Sequence, residues 1–147
     1  MIGGMNEDPV EERRRRLIEL SHTAPILVSM GSRLSYNEEG EAVWDMPYNP
    51  GFDHALEGVH GGVFATLLDN AGWFTVAPYY DTWIATVEFQ VRLLEHVQKK
   101  DLRAVGHLVK LGKRLATCRM EVLTADDGKV VAMGSGTFAP TSAKMPF

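Results

Sequence analysis

The clearest pattern in the chain is a run of apolar residues compatible with one long helix from about Gly61 to Ala77. No helix breaker interrupts this run before Pro78. A helix that is apolar on most sides is buried on most sides. The apolar positions are Val63, Phe64, Ala65, Leu67, Leu68, Ala71, Trp73, Phe74 and Val76. We therefore expect this helix at the centre of the protein.

The residues after this helix alternate between apolar and polar, the period-two pattern of a strand with one solvated face. One face carries Trp83, Ala85, Val87, Phe89, Val91 and Leu93, and the other carries Thr86, Glu88, Gln90 and Arg92. Three further strands are predicted at Asp101 to Lys110, Arg114 to Thr124 and Lys129 to Ala139, with turns at residues 111–113 and 125–128. We expect these four strands to form an antiparallel meander.

The N-terminal part predicts a helix followed by a hairpin. Asp8 is a suitable N-cap before Pro9, which predicts a helix from Pro9 to about Leu20. Arg13 to Arg16 spread around this helix and are expected to form solvated surface. Short β segments follow from Gly31 to Asn37 and from Glu41 to Met46.

These elements predict an α+β fold in which a curved antiparallel sheet of five to six strands wraps the long helix. The 147 residues and 45% hydrophobic content fit a single domain, with a core at about 25–140 and an N-terminal helical extension over 1–24. A net charge of −4 offers no general attraction to nucleic acid or to a membrane.

The chain shows no pattern for secretion or for metal binding. Cys118 is the only cysteine, so no internal disulfide forms and thiolate metal ligation is not indicated. The N-terminus lacks the apolar stretch of a signal peptide, and the longest apolar run is far too short to span a membrane. We expect a cytoplasmic protein with no metal.

Asp69 is the residue that points to chemistry, because it lies in the middle of the most apolar helix. A buried carboxylate needs a partner, since burying an isolated charge is expensive. A purely structural role, such as capping a loop or pairing with Arg92, is one explanation. A catalytic role is the other.

The start of the same helix supports the catalytic explanation. In His60-Gly61-Gly62 the backbone N–H groups at a helix N-terminus can stabilise an anion or a developing oxyanion. The alternatives are a tight turn for the glycines and a hydrogen-bonded core imidazole for His60. Gly61 and Asp69 are eight residues apart, which is about 12 Å along a helix, too far to act on one carbonyl. A two-fold homodimer with antiparallel helices would bring them together.

The segment Gly58-Val-His-Gly-Gly-Val-Phe-Ala-Thr-Leu-Leu-Asp69-Asn70 resembles the HGG-x₇-D helix of the hotdog-fold thioesterases, in the branch of the phenylacetic-acid-pathway (PaaI-like) acyl-CoA thioesterases. The resemblance extends from about Pro9 to Ala139. It implies that the Gly61 N–H polarises the thioester carbonyl and that Asp69 acts as general base or nucleophile. It also implies a homodimer that assembles further to a tetramer.

Further site residues follow from the resemblance. Relatives place an Asn where this chain has His54, so His54 is expected to take its place near the reacting water or carbonyl. Thr86 matches a hydroxyl residue that holds the catalytic carboxylate, although it is equally suited to an ordinary strand position. His60 belongs to the same catalytic motif.

The resemblance also indicates where substrate binds. The turn between two meander strands lies near the CoA nucleotide in similar proteins, which assigns CoA binding to Lys110, Lys113 and Arg114, although ordinary solvated charges are an equal alternative. Gly62 and Asn70 are further candidates for substrate contact. The implied activity is hydrolysis of an acyl-CoA to a carboxylic acid and CoA, without a cofactor. The alternatives are a non-catalytic acyl-CoA-binding protein and a thioester hydratase or dehydratase.

Overall fold

A computed structural model describes residues 6–147 of the chain. The helices are α1 (Pro9–Ser21), α2 (Pro25–Met30) and α3 (Gly61–Val76). The strands are β1 (Arg33–Tyr36), β2 (Ala42–Met46), β3 (Thr82–Leu93), β4 (Leu102–Leu111), β5 (Ala116–Thr124) and β6 (Val130–Lys144). Short 3₁₀ turns lie at Pro50–Phe52 and Ala77–Tyr79. The predicted α+β fold, with one long helix against a six-stranded antiparallel sheet, is confirmed.

The sheet has the order β1-β2-β4-β5-β6-β3, with every neighbouring pair antiparallel. The predicted four-strand meander is therefore wrong in one respect: only β4, β5 and β6 follow one another. Because β2 and β5 already occupy the two edges of β4, β3 joins the remaining edge of β6 instead. Among residues 6–147, this order leaves β3 with an unpaired edge at one end of the sheet.

Helix α3 lies close against the concave face of the sheet. Its buried residues include Phe64, Leu67, Leu68 and Ala71, which pack with Trp44 and Phe138 in the core. The close approach depends on a strand glycine, because a Cβ on Gly106 would lie 2.3 Å from the carbonyl oxygen of Ala71. The sheet thus fixes the position of the helix that carries Asp69.

The alternation predicted for β3 does not extend along the whole strand. Irregularities in the pairing with β6 occur between Thr82 and Ile84 and between Thr86 and Glu88. Each irregularity shifts which side chains face α3. As a result Ile84 is buried, Val87 is 57% exposed and Thr86 faces α3, so the prediction of one apolar face running from Trp83 to Leu93 is wrong.

The N-terminal helix is as predicted, with Asp8 accepting a hydrogen bond from the Val10 N–H at its start. The expectation that all four arginines are solvated is wrong. Arg13 donates to the carbonyl of Pro78, and the Arg14 side chain, only 12% exposed, donates to the Tyr79 hydroxyl. These contacts attach α1 to the turn that ends α3.

Helix α2 was not predicted, because its apolar sequence Ile26 to Val28 has no helical period of its own. Pro25 begins it, and Gly31 ends it in the left-handed conformation at φ +65° rather than starting a strand.

Candidate active site

Asp69 and Thr86 are brought together by α3 and β3. The Thr86 hydroxyl donates to Asp69 Oδ1 at 2.8 Å, and Asp69 is half-buried. Burial raises the pKa of the Asp69 carboxyl, and the Thr86 hydrogen bond opposes that rise. No described arginine or lysine forms a salt bridge with Asp69, so pairing with Arg92 is not its role. The Thr86 hydrogen bond thus positions the carboxylate, and burial leaves its pKa above that of an exposed aspartate.

Asn70 follows Asp69 and is half-buried as well. Its amide Nδ2 is shielded from solvent and has no acceptor within residues 6–147. An unsatisfied buried amide is unusual in a folded protein. Asn70 thus places an unpaired amide next to Asp69 on α3.

The residues His60, Gly61 and Gly62 form the N-terminus of α3. His60 is the N-cap, and its Nδ1 accepts from the Gly62 N–H at 2.9 Å. The His60 carbonyl accepts from the Val63 N–H at 2.9 Å. In the described part of the chain, the Gly61 N–H has no acceptor. His60 is exposed, so the alternative of a core imidazole is wrong, and the Gly62 N–H is already engaged.

The loop before α3 holds His54 against a second histidine. The His54 ring centroid lies 5.6 Å from that of His96, which follows β3. His54 Nδ1 accepts from the Leu56 N–H at 3.1 Å, and Glu57 adopts a left-handed conformation at φ +62°. His54 and Gly61, at the start of α3, line one cavity.

Two cavities flank the start of α3. One of about 400 Å³ lies between α2, the 3₁₀ turn and α3; its lining includes Ile26, Met30, Phe52, His60 and Val63. The other, of about 320 Å³, lies on the side of β3; its lining includes His54, Gly61, Phe64, Leu93 and His96. A ligand in the second cavity would meet both Gly61 and the two imidazoles.

The structure does not bring Asp69 and Gly61 together within the chain. The two residues are eight positions apart on one continuous helix, which at ~1.5 Å per residue is about 12 Å. Asp69 points to β3 through Thr86, near the free edge of the sheet. A site using both groups would need a second copy of the chain.

Lys110, Lys113 and Arg114 lie at the turn between β4 and β5. All three are exposed, and none forms a salt bridge with a described carboxylate. The Tyr80 hydroxyl donates to the carbonyl of Gly112 in the middle of this turn. The turn is thereby anchored next to the C-terminal end of α3.

Sequence reasoning missed His96. The residue lies in the loop 94–101 after β3, with no motif around it, and only the tertiary fold places it beside His54. Within residues 6–147 no group of three or more His, Cys, Asp and Glu is arranged to hold a metal ion. None of the described helices is long and apolar enough to cross a membrane.

Comparison with known proteins places this geometry in a family. The model of the thioesterase superfamily matches residues 57–131, just over half of the chain, which includes the start of α3, Asp69 and Thr86. No curated protein matches the chain significantly.

Solved structures share the fold over most of the chain. The E. coli PaaI protein from the phenylacetic acid degradation operon is 16% identical, with a TM-score of 0.84 over 93% of this chain and 99% of that one. A Shewanella oneidensis protein related to the thioesterase superfamily is 22% identical, with a TM-score of 0.80 over 90% and 97%. A thioesterase from Haemophilus influenzae is 16% identical, with a TM-score of 0.77 over 95% and 94%. The chain belongs to the thioesterase superfamily and has its hotdog fold.

Proposed function

We propose that the protein hydrolyses an acyl-CoA thioester to a carboxylic acid and CoA. The observation that carries the proposal is the half-buried Asp69, which is held by Thr86 and has no described cationic partner. A non-catalytic binding protein has no need for a desolvated carboxylate at this position. In the reaction, Asp69 takes a proton from the attacking water or attacks the carbonyl itself.

The second group of the reaction is the Gly61 N–H. It begins α3 without an acceptor in the described chain, at the positive end of the helix dipole. A thioester carbonyl bound there would gain a donor as its oxygen becomes negative. One such donor lowers a barrier by about 3 to 4 kcal/mol.

The two groups meet in a homodimer whose subunits face each other along β3. This 12-residue strand has one edge that no described strand pairs with, and its Val87 side chain is 57% exposed. Long unpaired edges in native proteins are usually covered. A two-fold axis beside β3 would set the two α3 helices antiparallel, with Gly61 of one subunit towards Asp69 of the other.

The CoA moiety would lie against the turn between β4 and β5. Lys110, Lys113 and Arg114 place three exposed positive charges there without described acidic partners. Phosphate groups attract such clusters. The buried amide of Asn70 offers a further donor to bound substrate.

The experiment that tests this function is a thiol-release screen of the purified full chain. Aryl, short, medium and long acyl-CoA esters are compared, with Asp69→Asn as the matched inactive control. We expect release from at least one ester class by the wild-type protein and loss by orders of magnitude in the variant. Absence of release from every ester would favour an acyl-CoA-binding protein instead.

A further inference from the structure

The cavity on the β3 side of α3 contains the imidazoles of His54 and His96, and the proposed hydrolysis assigns no proton transfer to either ring. It has a volume of about 320 Å³ and is lined by Gly61, His54 and His96. Gly61 and both imidazoles line the same cavity, so a thioester bound in it would lie against all three residues. Glu95 also lines this cavity, but its carboxylate pairs with Lys129 Nζ at 3.2 Å.

The three histidines near the start of α3 differ in which ring nitrogens are free. His54 Nδ1 accepts from the Leu56 N–H, and His60 Nδ1 accepts from the Gly62 N–H. Each of these rings is thereby kept in one tautomer, with the proton on Nε2. Within residues 6–147, neither nitrogen of His96 has a hydrogen-bond partner, so this ring is free to exchange a proton with a ligand.

Gly58 makes the space in which the two rings lie side by side. A Cβ at this position would come within 2.2 Å of His96 Cε1 and 2.8 Å of His54 Nε2. Glu57 next to it adopts a left-handed conformation, which is costly for a residue with a side chain. The loop thus accepts backbone strain while leaving room for both imidazoles, and such strain concentrates at functional sites.

We propose that His96 is a further catalytic residue, which protonates the leaving thiolate when the thioester C–S bond breaks. This inference rests on the proposed hydrolase function. It is favoured over a purely structural role because His96 is exposed and makes no hydrogen bond in the described chain, yet it lines the cavity that contains Gly61.

The proton and electron balance of the step is complete without any further reactant. Water adds to the thioester carbonyl, and one of its protons passes to the Asp69 carboxylate. The tetrahedral intermediate then re-forms C=O, the C–S bond breaks and its electron pair goes to sulfur. The imidazolium of His96 gives its proton to that sulfur, producing the thiol, and solvent afterwards restores both His96 and Asp69. Imidazole is suited to this role because it gains and loses a proton near neutral pH.

The test varies the acidity of the leaving thiol. Two esters of one acyl group are compared, one of N-acetylcysteamine and one of thiophenol, because an aryl thiolate leaves readily without protonation. In His96→Gln we expect kcat/KM for the alkyl ester to fall roughly 100-fold, the lower end of general acid catalysis, and the aryl ester to change by less than about threefold. His22→Gln, an exposed histidine at the end of α1, should leave both values unchanged.

A second variant guards against a structural effect of the first. Gly58→Ala leaves His96 in the sequence, but its Cβ would overlap the His96 ring at 2.2 Å and also press on His54 Nε2 at 2.8 Å. A loss through His96 should again be selective for the alkyl ester, whereas a loss through His54 alone should affect both esters. Equal losses with both esters, or no loss with the alkyl ester, would overturn the role of His96. If the wild-type protein releases thiol from neither these esters nor any acyl-CoA, the hydrolase function itself fails before any variant is compared.

Discussion

A carboxylate that is half-buried at the middle of α3 has opposite effects on stability and on activity. Burial raises the pKa of Asp69 because the charged form loses hydration, while the Thr86 hydroxyl partly offsets this by stabilising the anion. The ionised form is the one that can act as base or nucleophile. The proposed hydrolysis therefore requires the ionised form, which the fold favours less.

Asp69→Asn should remove activity and raise stability at neutral pH, since the amide can still accept from Thr86. In the unfolded wild-type chain, the Asp69 carboxyl loses its proton at about pH 4, whereas in the folded protein it keeps the proton to a higher pH. The free energy of unfolding therefore falls as pH rises from about 4 to the raised pKa. The Tm advantage of the variant should thus grow as pH rises above about 4, and level off once the raised pKa is passed. A Tm difference independent of pH would contradict the raised pKa.

Thr86→Val should shift the acid side of the activity profile to higher pH. The substitution keeps a β-branched side chain but removes the hydrogen bond that lowers the Asp69 pKa, so more of the carboxyl is protonated at a given pH. Thr86→Ser keeps the hydroxyl and serves as the control. The measurement is kcat/KM against pH for the three proteins, and superimposable profiles would remove Thr86 from the site.

Gly61→Pro should abolish activity without unfolding the protein. Proline removes the N–H at the first position of α3, where it is well tolerated, and His60 already has the extended backbone that precedes a proline. Gly61→Ala keeps the N–H and makes the same close contact with Leu93, at the far end of a flexible side chain. We expect a loss of about 10²-fold to 10³-fold for Pro and a much smaller one for Ala. Equal activity of the two variants would exclude the Gly61 donor.

The sequence indicated Asp69, Gly61 and Thr86 because the HGG-x₇-D pattern and a following strand are local and ordered along the chain. It did not indicate His96, whose neighbour His54 is 42 positions earlier and is reached only through the pairing of loops around β3. The exposure of His60 was likewise not predictable, since it depends on how the loop before α3 folds back.

At the scale of elements, the loop that carries His54 stores strain at Glu57. Glu57→Gly should stabilise the fold by up to about 1 kcal/mol, because glycine avoids the steric cost of about 1–2 kcal/mol at positive φ, and its larger loss of backbone entropy offsets part of that gain. The same substitution at Glu38, an exposed turn residue without positive φ, should destabilise or be neutral. Urea unfolding of both variants is the measurement. A destabilised Glu57→Gly protein would show that the Glu57 side chain contributes more than its backbone conformation costs.

Helices and strands with a clear spacing of apolar residues were predictable from the sequence. Features that depend on pairing with an adjacent strand were not. Helix α3 and strand β2 follow from apolar spacing alone, and both are confirmed. Strand β3 has the right position, but irregular pairing with β6 turns Thr86 towards α3 and Val87 towards solvent. Such irregularities arise from pairing between strands and leave no mark in the sequence of one strand.

At the scale of the whole molecule, the order of the sheet determines which strands lie at its edges. The four strands after α3 look like a meander in sequence, yet β3 pairs with β6 and ends the sheet. Because the Asp69 and Thr86 pair lies beside that edge, a partner subunit meeting β3 would approach the carboxylate directly. The fold class was predictable from the sequence, whereas this placement required the structure.

In the proposed homodimer, each active site combines Gly61 of one subunit with Asp69 of the other. The most direct measurement is the activity of heterodimers made from Gly61→Pro and Asp69→Asn chains, isolated with two different affinity tags. One of their two sites would hold both native groups, so we expect about half of the wild-type kcat per dimer although each parent is inactive. Heterodimers as inactive as their parents, or chains that do not co-purify, would contradict the claim.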